Sequence, residues 1–286
     1  MSGQLISGKE IAKNKREAMR QTVEALQKKG IKPGLAVLLV GENPASLSYV
    51  KGKIRDCKEV GIHSELQRYE ASISEDKLLS EIEKYNRADH INGILVQLPL
   101  PDHISEQKVI QTISPDKDVD GFHPINLGKM LTDQNTFLPC TPYGIIEMMT
   151  TMELPIKGKH VVIVGRSNIV GKPAGQLFLN EDATVTYCHS KTENMSKYTK
   201  MADILVVAVG RADLIGADDI KEGAVVIDVG MNRNKEGKLV GDVSFDEAKE
   251  KAGYITPVPG GVGPMTRTML LVNTIEAAKQ QNKGTA

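Results

Sequence analysis

Cysteine is scarce in this chain of 286 residues. Cys57, Cys140 and Cys188 stand far apart and are odd in number, which argues against a disulfide framework and against a cysteine metal site. The six histidines show no H-x-x-x-H or similar ligand spacing, so no metal is expected. Charge of either sign is not in excess: 36 basic and 36 acidic residues give a formal net charge of zero. Nothing therefore points to a nucleic-acid or acidic-membrane partner. No apolar run is long enough to cross a bilayer, and no basic-plus-apolar leader is expected at the start. A reducing, cytoplasmic setting is the default expectation. What is present is ordinary for a soluble globular protein, with 40% hydrophobic and 25% charged residues. The length suits one large or two ordinary domains.

The chain is organised around Val161-Val-Ile-Val-Gly165-Arg-Ser167-Asn-Ile-Val-Gly171-Lys-Pro173. Four β-branched residues in a row predict a strand buried on both faces. Gly165 makes the sharp turn that ends it, and Gly171 lets a following helix pack close. Ser167 is placed to cap that helix, whose start collects unpaired N–H groups and partial positive charge suited to a phosphate. The spacing departs from G-x-G-x-x-G, since Ser167 replaces the middle glycine and the loop is one residue longer. An ordinary strand-to-helix turn fits the same residues.

In chain order, residues 7–30 predict an amphipathic helix with Ser7 as N-cap, Glu10 completing a capping box and Gly30 as the stop. Gly34–Gly41 reads as a buried strand, and the segment after Pro44 as a helix with Val50, Ile54 and Cys57 at core spacing. A strand, a helix and the strand beginning at Gly93 follow. From about 115 to 142 four prolines punctuate a stretch of little periodicity, expected to connect two lobes. A second α/β unit has strands at Val161–Val164, Ala183–Tyr187, Ile204–Val209 and Val225–Val229, and after it comes a loop, Thr256–Thr266. A closing helix is expected from about Arg267 to Gln281. Strands alternating with helices predict an α/β fold of two lobes, the second a Rossmann-like parallel sheet binding a dinucleotide.

Candidate site residues come from both lobes. At the tip of the second strand of the second lobe, His189-Ser190-Lys191-Thr192 offers no carboxylate for ribose hydroxyls, and with Arg166 this favours NADP over NAD. Gly210 and Gly230-Met231 follow the third and fourth strands, where a ligand can approach the backbone. In the first lobe Tyr49 and Lys53 are four apart on a helix and point the same way; a solvated helix edge would do the same. Gln97 interrupts an apolar strand end, where burial demands hydrogen-bond partners. Asp118 and Asp120 stand beside a glycine, Gly121, an arrangement that often only makes a turn.

These residues together resemble the bifunctional methylenetetrahydrofolate dehydrogenase/methenyltetrahydrofolate cyclohydrolase family along nearly the whole chain. The carrying motifs are Ala45-Ser46 with Tyr49-Val50-x-x-Lys53, Gly93-Ile-Leu-Val-Gln97-Leu-Pro-Leu-Pro101 and Lys117-Asp-Val-Asp120-Gly121. Pro139-Cys-Thr-Pro142, Val164-Gly-Arg-Ser-x-x-Val-Gly-x-Pro173 and Pro259-Gly-Gly-Val-Gly-Pro-Met-Thr266 complete them, in the family's order. The resemblance implies a folate-binding catalytic domain of residues 1–140 plus 267–286, an NADP-binding domain of residues 141–266, a cleft between them, and a homodimer. It implies that Lys53 is the catalytic lysine, with Tyr49 against the folate, Gln97 on the lysine and Asp120 on the pterin's amino and ring N–H groups. Pro259, Gly260 and Gly261 join the substrate set. Gly165, Arg166, Ser167 and Gly171 would carry NADP, with Ser190 near its ribose phosphate and Met231 near the nicotinamide end.

The implied chemistry is oxidation of 5,10-methylenetetrahydrofolate, then hydrolysis of the methenyl product to the 10-formyl form, in one-carbon metabolism and purine biosynthesis. Hydride transfer needs placement rather than a protein base. Hydrolysis needs a base, and Lys53 serves only when neutral, so its pKa must fall well below the ordinary lysine range. Three other readings compete. A short-chain dehydrogenase shares Tyr-x-x-x-Lys, but its glycine-rich turn precedes that pair, whereas here it follows by more than a hundred residues. The others are a family member that kept only the dehydrogenase and a non-catalytic NADP-binding protein.

Overall fold

The computed structural model describes residues 2–282. Residue 1 and residues 283–286, which the sequence assigns to the folate domain, lie outside the described residues. In chain order the elements begin with β1 (Gln4–Leu5), α1 (Gly8–Lys28), β2 (Gly34–Val40), α2 (Pro44–Val60), β3 (His63–Tyr69) and α3 (Glu75–Asn86). Next come β4 (Gly93–Val96), α4 (Glu106–Thr112), α5 (Pro124–Leu131), α6 (Cys140–Thr151), β5 (His160–Val164) and α7 (Gly171–Asn180). Then follow β6 (Thr184–Cys188), α8 (Met195–Thr199), β7 (Ile204–Val207), β8 (Val225–Asp228), β9 (Asn232–Arg233) and β10 (Leu239–Val240). The last are α9 (Phe245–Lys251), β11 (Tyr254–Ile255) and α10 (Val262–Gln281).

Two compact units result: one holds the chain up to Lys13 with Thr141–Thr266, the other Asn14–Cys140 with Arg267 onward. The sequence placed residues 2–13 with the folate domain, and the structure does not. Gln4 and Leu5 pair in parallel with Tyr254 and Ile255 at the edge of the Thr141–Thr266 sheet, so backbone hydrogen bonding carries the start of the chain there. Two-residue strands leave no period-2 pattern to read.

The unit containing Thr141–Thr266 is built on a six-stranded sheet, β1-β11-β8-β7-β5-β6, parallel throughout. The apolar runs of β5, β7 and β8 are buried on both faces, as expected of parallel strands covered by crossover helices. Val162, Val164, Leu205, Val207 and Val226 pack with Ile215, Val243 and Ala248 in one core layer. α7 packs against β5 and β6.

The unit containing Asn14–Cys140 carries a three-stranded parallel sheet, β3-β2-β4. Ala36, Leu38 and Val40 of β2 join Ile94 and Val96 of β4 against Leu78 and Ile82 of α3 and Val109 of α4. Alternation then sends Leu35, Val37 and Leu39 to the other face, where they are equally buried. α1 starts with the Glu10 N–H donating to Ser7 Oγ at 3.3 Å, and Gly30 ends its overrun with φ 82°.

Two expected boundaries move. The stretch from 115 to 142 contains α5, whose cap is the His123 ring, Nδ1 accepting from the Ile125 N–H at 3.1 Å. Histidine is not a usual N-cap, which hid the helix. α10 begins at Val262, five residues before the expected Arg267, so the glycine-rich Thr256–Thr266 loop already contains its first turn.

Candidate active site

The site around Lys53 is assembled within the Asn14–Cys140 unit. α2 is set by Asn43, whose side chain accepts from the N–H groups of Ala45 and Ser46 at 3.0 and 3.1 Å, and by Pro44 in its first turn. It stops at Gly61, left-handed at φ 84°, with the Ile62 N–H returning to the Cys57 carbonyl. Ser46, Val50, Lys53, Cys57 and Val60 share its buried side, so the stripe that fixes the helix also sinks Lys53, which is only 4% exposed. Its Nζ lies 4.9 Å from the centre of the Tyr49 ring and donates to Gln97 Oε1 at 3.1 Å.

Gln97 sits where β4 gives out. Its N–H continues the ladder to the Leu38 carbonyl, and its side-chain amide donates to the Leu98 carbonyl at 2.7 Å. That second bond commits the NH2 group and leaves Oε1 facing the lysine, which answers the demand that a half-buried amide find partners. The Lys117–Asp120 segment lies alongside β4, with Ile94 bridged to Asp118. Asp118, 2% exposed, accepts from the N–H groups of Gly121, Phe122 and His123 and from Asn126 Nδ2. It organises the turn that follows it. Asp120 is different: it is half-buried, bonds to Cys140, and is near enough to Lys53 for the two charges to couple.

The electrostatics follow from burial. Desolvation pulls the Lys53 pKa down, and the Asp120 charge pulls it part of the way back. Desolvation pushes the Asp120 carboxyl up, against the opposing pull of Lys53. Both groups are thus drawn toward their neutral forms. Cys140, 1% exposed, is raised well above the ordinary thiol range by burial, then by Asp120, and Cys57 is pushed up to about 12 by burial. Neither is a thiolate nucleophile.

Residues the sequence did not mark support this site. Arg267 Nε donates to the fully buried Asp56 at 2.7 Å, and Arg55 reaches its other oxygen at 3.1 Å. A Cβ on Gly52 would stand 3.0 Å from the Arg267 guanidinium, so Gly52 admits that arginine against α2. Asn273 Nδ2 donates to the carbonyls of Val119 and Leu138, fastening the Asp120 loop to α10. Their signal is a buried charge and a buried amide inside helices, visible only once the partners are known.

The Thr141–Thr266 unit brings together Gly165, Arg166, Ser167 and Gly171, with Ser190 at the tip after β6 and Met231 after β8. Gly165 has φ 136°, and a Cβ there would run into the Ala208 carbonyl; a Cβ on Gly171 would meet the Gly165 carbonyl oxygen at 2.6 Å. Both glycines are therefore required by close backbone approach. Ser167 Oγ accepts from the N–H groups of Val170 and Gly171, each at 3.2 Å, and its carbonyl takes the Lys172 N–H. The helix start is thus already satisfied by Ser167. The donors left for an anion lie one step earlier: no hydrogen bond within the described residues uses the N–H groups of residues 166–169. A glycine-lined turn with four free N–H groups fits a dinucleotide pyrophosphate.

Around it, Arg166, Ser190 and Lys191 are exposed, and the turn at 189–192 is closed by the Thr192 N–H and hydroxyl bonding His189. No carboxylate occupies it. Met231 is 57% exposed. Pro259, Gly260 and Gly261 follow β11 in this same unit rather than that of Lys53. The Gly260 carbonyl accepts from the Lys9 N–H, and Gly261 packs against Gly8. Two further aspartates, 3% and 0% exposed, lie behind the loops after β7 and β8: Asp228 and Asp242. Burial raises Asp228 to about 6. Among the described residues no group of histidine, cysteine or acidic side chains could hold a metal ion.

Residues 6–120 match the catalytic domain of tetrahydrofolate dehydrogenase/cyclohydrolase and residues 139–282 match its NAD(P)-binding domain. The bifunctional protein FolD of Bacillus thuringiensis (strain Al Hakam) is 64% identical over 276 residues, 96% of each chain. The crystal structure of the bifunctional enzyme FolD, methylenetetrahydrofolate dehydrogenase/cyclohydrolase, from Campylobacter jejuni is 48% identical with a TM-score of 0.96, covering 98% of this chain and 99% of its own. That of the Trypanosoma brucei dehydrogenase-cyclohydrolase, complexed with NADP cofactor and inhibitor, is 37% identical with a TM-score of 0.94, covering 98% of each. With both family domains matched in order, and relatives similar from end to end, this chain belongs to the tetrahydrofolate dehydrogenase/cyclohydrolase family.

Proposed function

We propose that the chain oxidises 5,10-methylenetetrahydrofolate with NADP and then hydrolyses the 5,10-methenyl product to 10-formyltetrahydrofolate, as a step of one-carbon metabolism supplying purine biosynthesis. The family assignment supports both activities. The observation that carries the hydrolysis is a buried amine held by an uncharged partner, Lys53 on Gln97 Oε1 at 3.1 Å.

When bound, NADP accepts the hydride that leaves the methylene carbon. The four free N–H groups of residues 166–169 would take the pyrophosphate, and Arg166 and Ser190 the ribose phosphate, with Met231 offering backbone toward the nicotinamide end. For hydrolysis, neutral Lys53 takes a proton from water as its oxygen bonds to the cationic methenyl carbon. The resulting ammonium returns that proton to N5 as the C–N5 bond breaks, and the hydroxyl proton leaves to solvent as the formyl group forms. Gln97 can orient the amine without the charge of a carboxylate, which would hold it protonated. Tyr49 lies against the folate ring, and Asp120 accepts from its amino and ring N–H groups, donors that offset the cost of ionising this carboxyl. Pro259, Gly260 and Gly261 complete the substrate set.

We also propose that the chain works as a cytoplasmic homodimer. No described helix is long and apolar enough to cross a membrane. Sedimentation should give twice the 31.1 kDa of one chain. The deciding assay follows the two reactions separately, methylenetetrahydrofolate with NADP or NAD, and methenyltetrahydrofolate alone. Oxidation without hydrolysis would leave a dehydrogenase only, and NADP binding without either would leave a binding protein.

A further inference from the structure

The structure places one buried carboxylate, Asp242, at the junction of the loops that follow β7 and β8. Asp242 is fully buried and accepts four hydrogen bonds. Oδ2 takes the N–H groups of Val209 and Gly210 at 2.7 and 3.0 Å, and Oδ1 takes the Arg211 N–H and Asn232 Nδ2, both at 2.8 Å. Val209 to Arg211 follow β7 directly, and Asn232 stands two residues beyond Gly230 after β8. Asp242 is itself fixed, since its N–H donates to Asp228 Oδ1 at 2.9 Å and Asp228 also accepts from Gly230 and Val243. The glycines here leave no slack: a Cβ on Gly230 would collide with Asp242, and one on Gly241 with the Asp228 carboxylate.

The loop so held begins at Ala208, whose carbonyl is the atom that closes off a side chain at Gly165 in the phosphate turn. In a parallel sheet of this kind a dinucleotide lies across the carboxyl ends of the strands, with its second nucleotide over the third and fourth. These are β7 and β8. We propose that Asp242 is a positioning residue for NADP: it fixes the backbone of residues 208–211 and 230–232 at the height the nicotinamide half requires, and backs the glycine turn under the pyrophosphate. This rests on the reading of the chain as NADP-dependent. Only a carboxylate presents acceptors on both oxygens to four donors. An amide would turn an NH2 group against two of them and push the loops apart.

The test is Asp242→Asn, with the NADP dissociation constant measured by calorimetry and hydrolysis of methenyltetrahydrofolate followed in parallel. NADP binding should weaken by about tenfold or more, with the KM for NADP rising while that for the folate substrate holds. A general loss of structure would instead lower hydrolysis as well. Asp242→Glu is the second variant: it keeps the charge but moves the carboxylate by one methylene, and should weaken NADP binding too. Either variant, folded and binding NADP within about twofold of wild type, overturns the proposal. Failure of both to fold also overturns it, because the carboxylate then serves the fold alone. Wild-type protein that binds no NADP defeats the underlying reading instead, and is told apart by being measured first.

Discussion

Lys53 is held between two opposed influences, burial that removes its proton and the Asp120 charge that restores it. General-base hydrolysis draws on the neutral amine only. The rate should therefore climb with pH through the Lys53 pKa, on a limb lying below the ordinary lysine range. In Gln97→Glu a carboxylate replaces the amide oxygen 3.1 Å from Nζ; an anion there favours the ammonium, so the limb moves to higher pH and turnover at pH 7 falls. A pH–rate series for both proteins checks this, and an unmoved limb would remove Lys53 from the titration. Stability has a related sign. A lysine whose folded pKa is lowered binds its proton less tightly than in the unfolded chain, so folding stability rises with pH between the folded and unfolded values. Below that window the buried ammonium is a cost. Lys53→Met should thus abolish hydrolysis without lowering the melting temperature, and a clear drop in melting temperature would contradict the desolvation account. Of these residues, spacing put Tyr49 and Lys53 on one side of a helix and Gln97 stood out as a polar residue in an apolar strand end, while the roles proposed for them came from the family resemblance. Asp56 with Arg267 was not readable, because the two are far apart in sequence and meet only in the fold.

At the scale of elements, α2 delivers Lys53 and depends on its cap. Asn43→Ala removes an acceptor serving two N–H groups and should cost about 1 kcal/mol, seen as a fall of roughly 2–4 °C in melting temperature. The β5-to-α7 turn makes a sharper prediction. At Gly165 an alanine would have to adopt φ 136° and enter the space of the Ala208 carbonyl, so Gly165→Ala should eliminate measurable NADP binding. Normal binding in that variant would mean the turn does not cradle the cofactor. β5 and its glycine were legible because four β-branched residues and a turn glycine state their roles locally. The donors were misplaced by one step: a serine at an N-cap serves the helix first, and the anion is left with the loop ahead of it. β1, β11 and α5 escaped notice for a common reason, that two-residue strands and a helix capped by histidine carry no periodic or capping signal. Asp228 and Asp242 escaped because all but one of the donors they accept from are backbone N–H groups, which no sequence displays.

Across the whole molecule, 36 basic residues balance 36 acidic ones, so no net charge draws in either anionic ligand. Discrimination between NADP and NAD must then come from a few local groups, and the turns after β5 and β6 hold them. Arg166 in the first and Ser190 and Lys191 in the second are exposed, and residues 189–192 include no carboxylate. Ser190→Asp adds one negative charge where the ribose phosphate is proposed to sit. Two unit charges about 4 Å apart in bulk water interact by about 1 kcal/mol, and a phosphate monoester carries about −1.5 to −2 charges. The repulsion is then about 2 kcal/mol, or roughly thirtyfold in affinity. NAD lacks that phosphate and offers the new carboxylate two ribose hydroxyls, so its binding should hold or improve. The ratio of kcat/KM for NADP over NAD should fall by about an order of magnitude or more, and added salt should recover part of the loss for NADP because the pair is solvent-exposed. An unchanged ratio would place the phosphate elsewhere on the unit, and the absence of an acidic residue at this turn would then say nothing about which cofactor the chain uses.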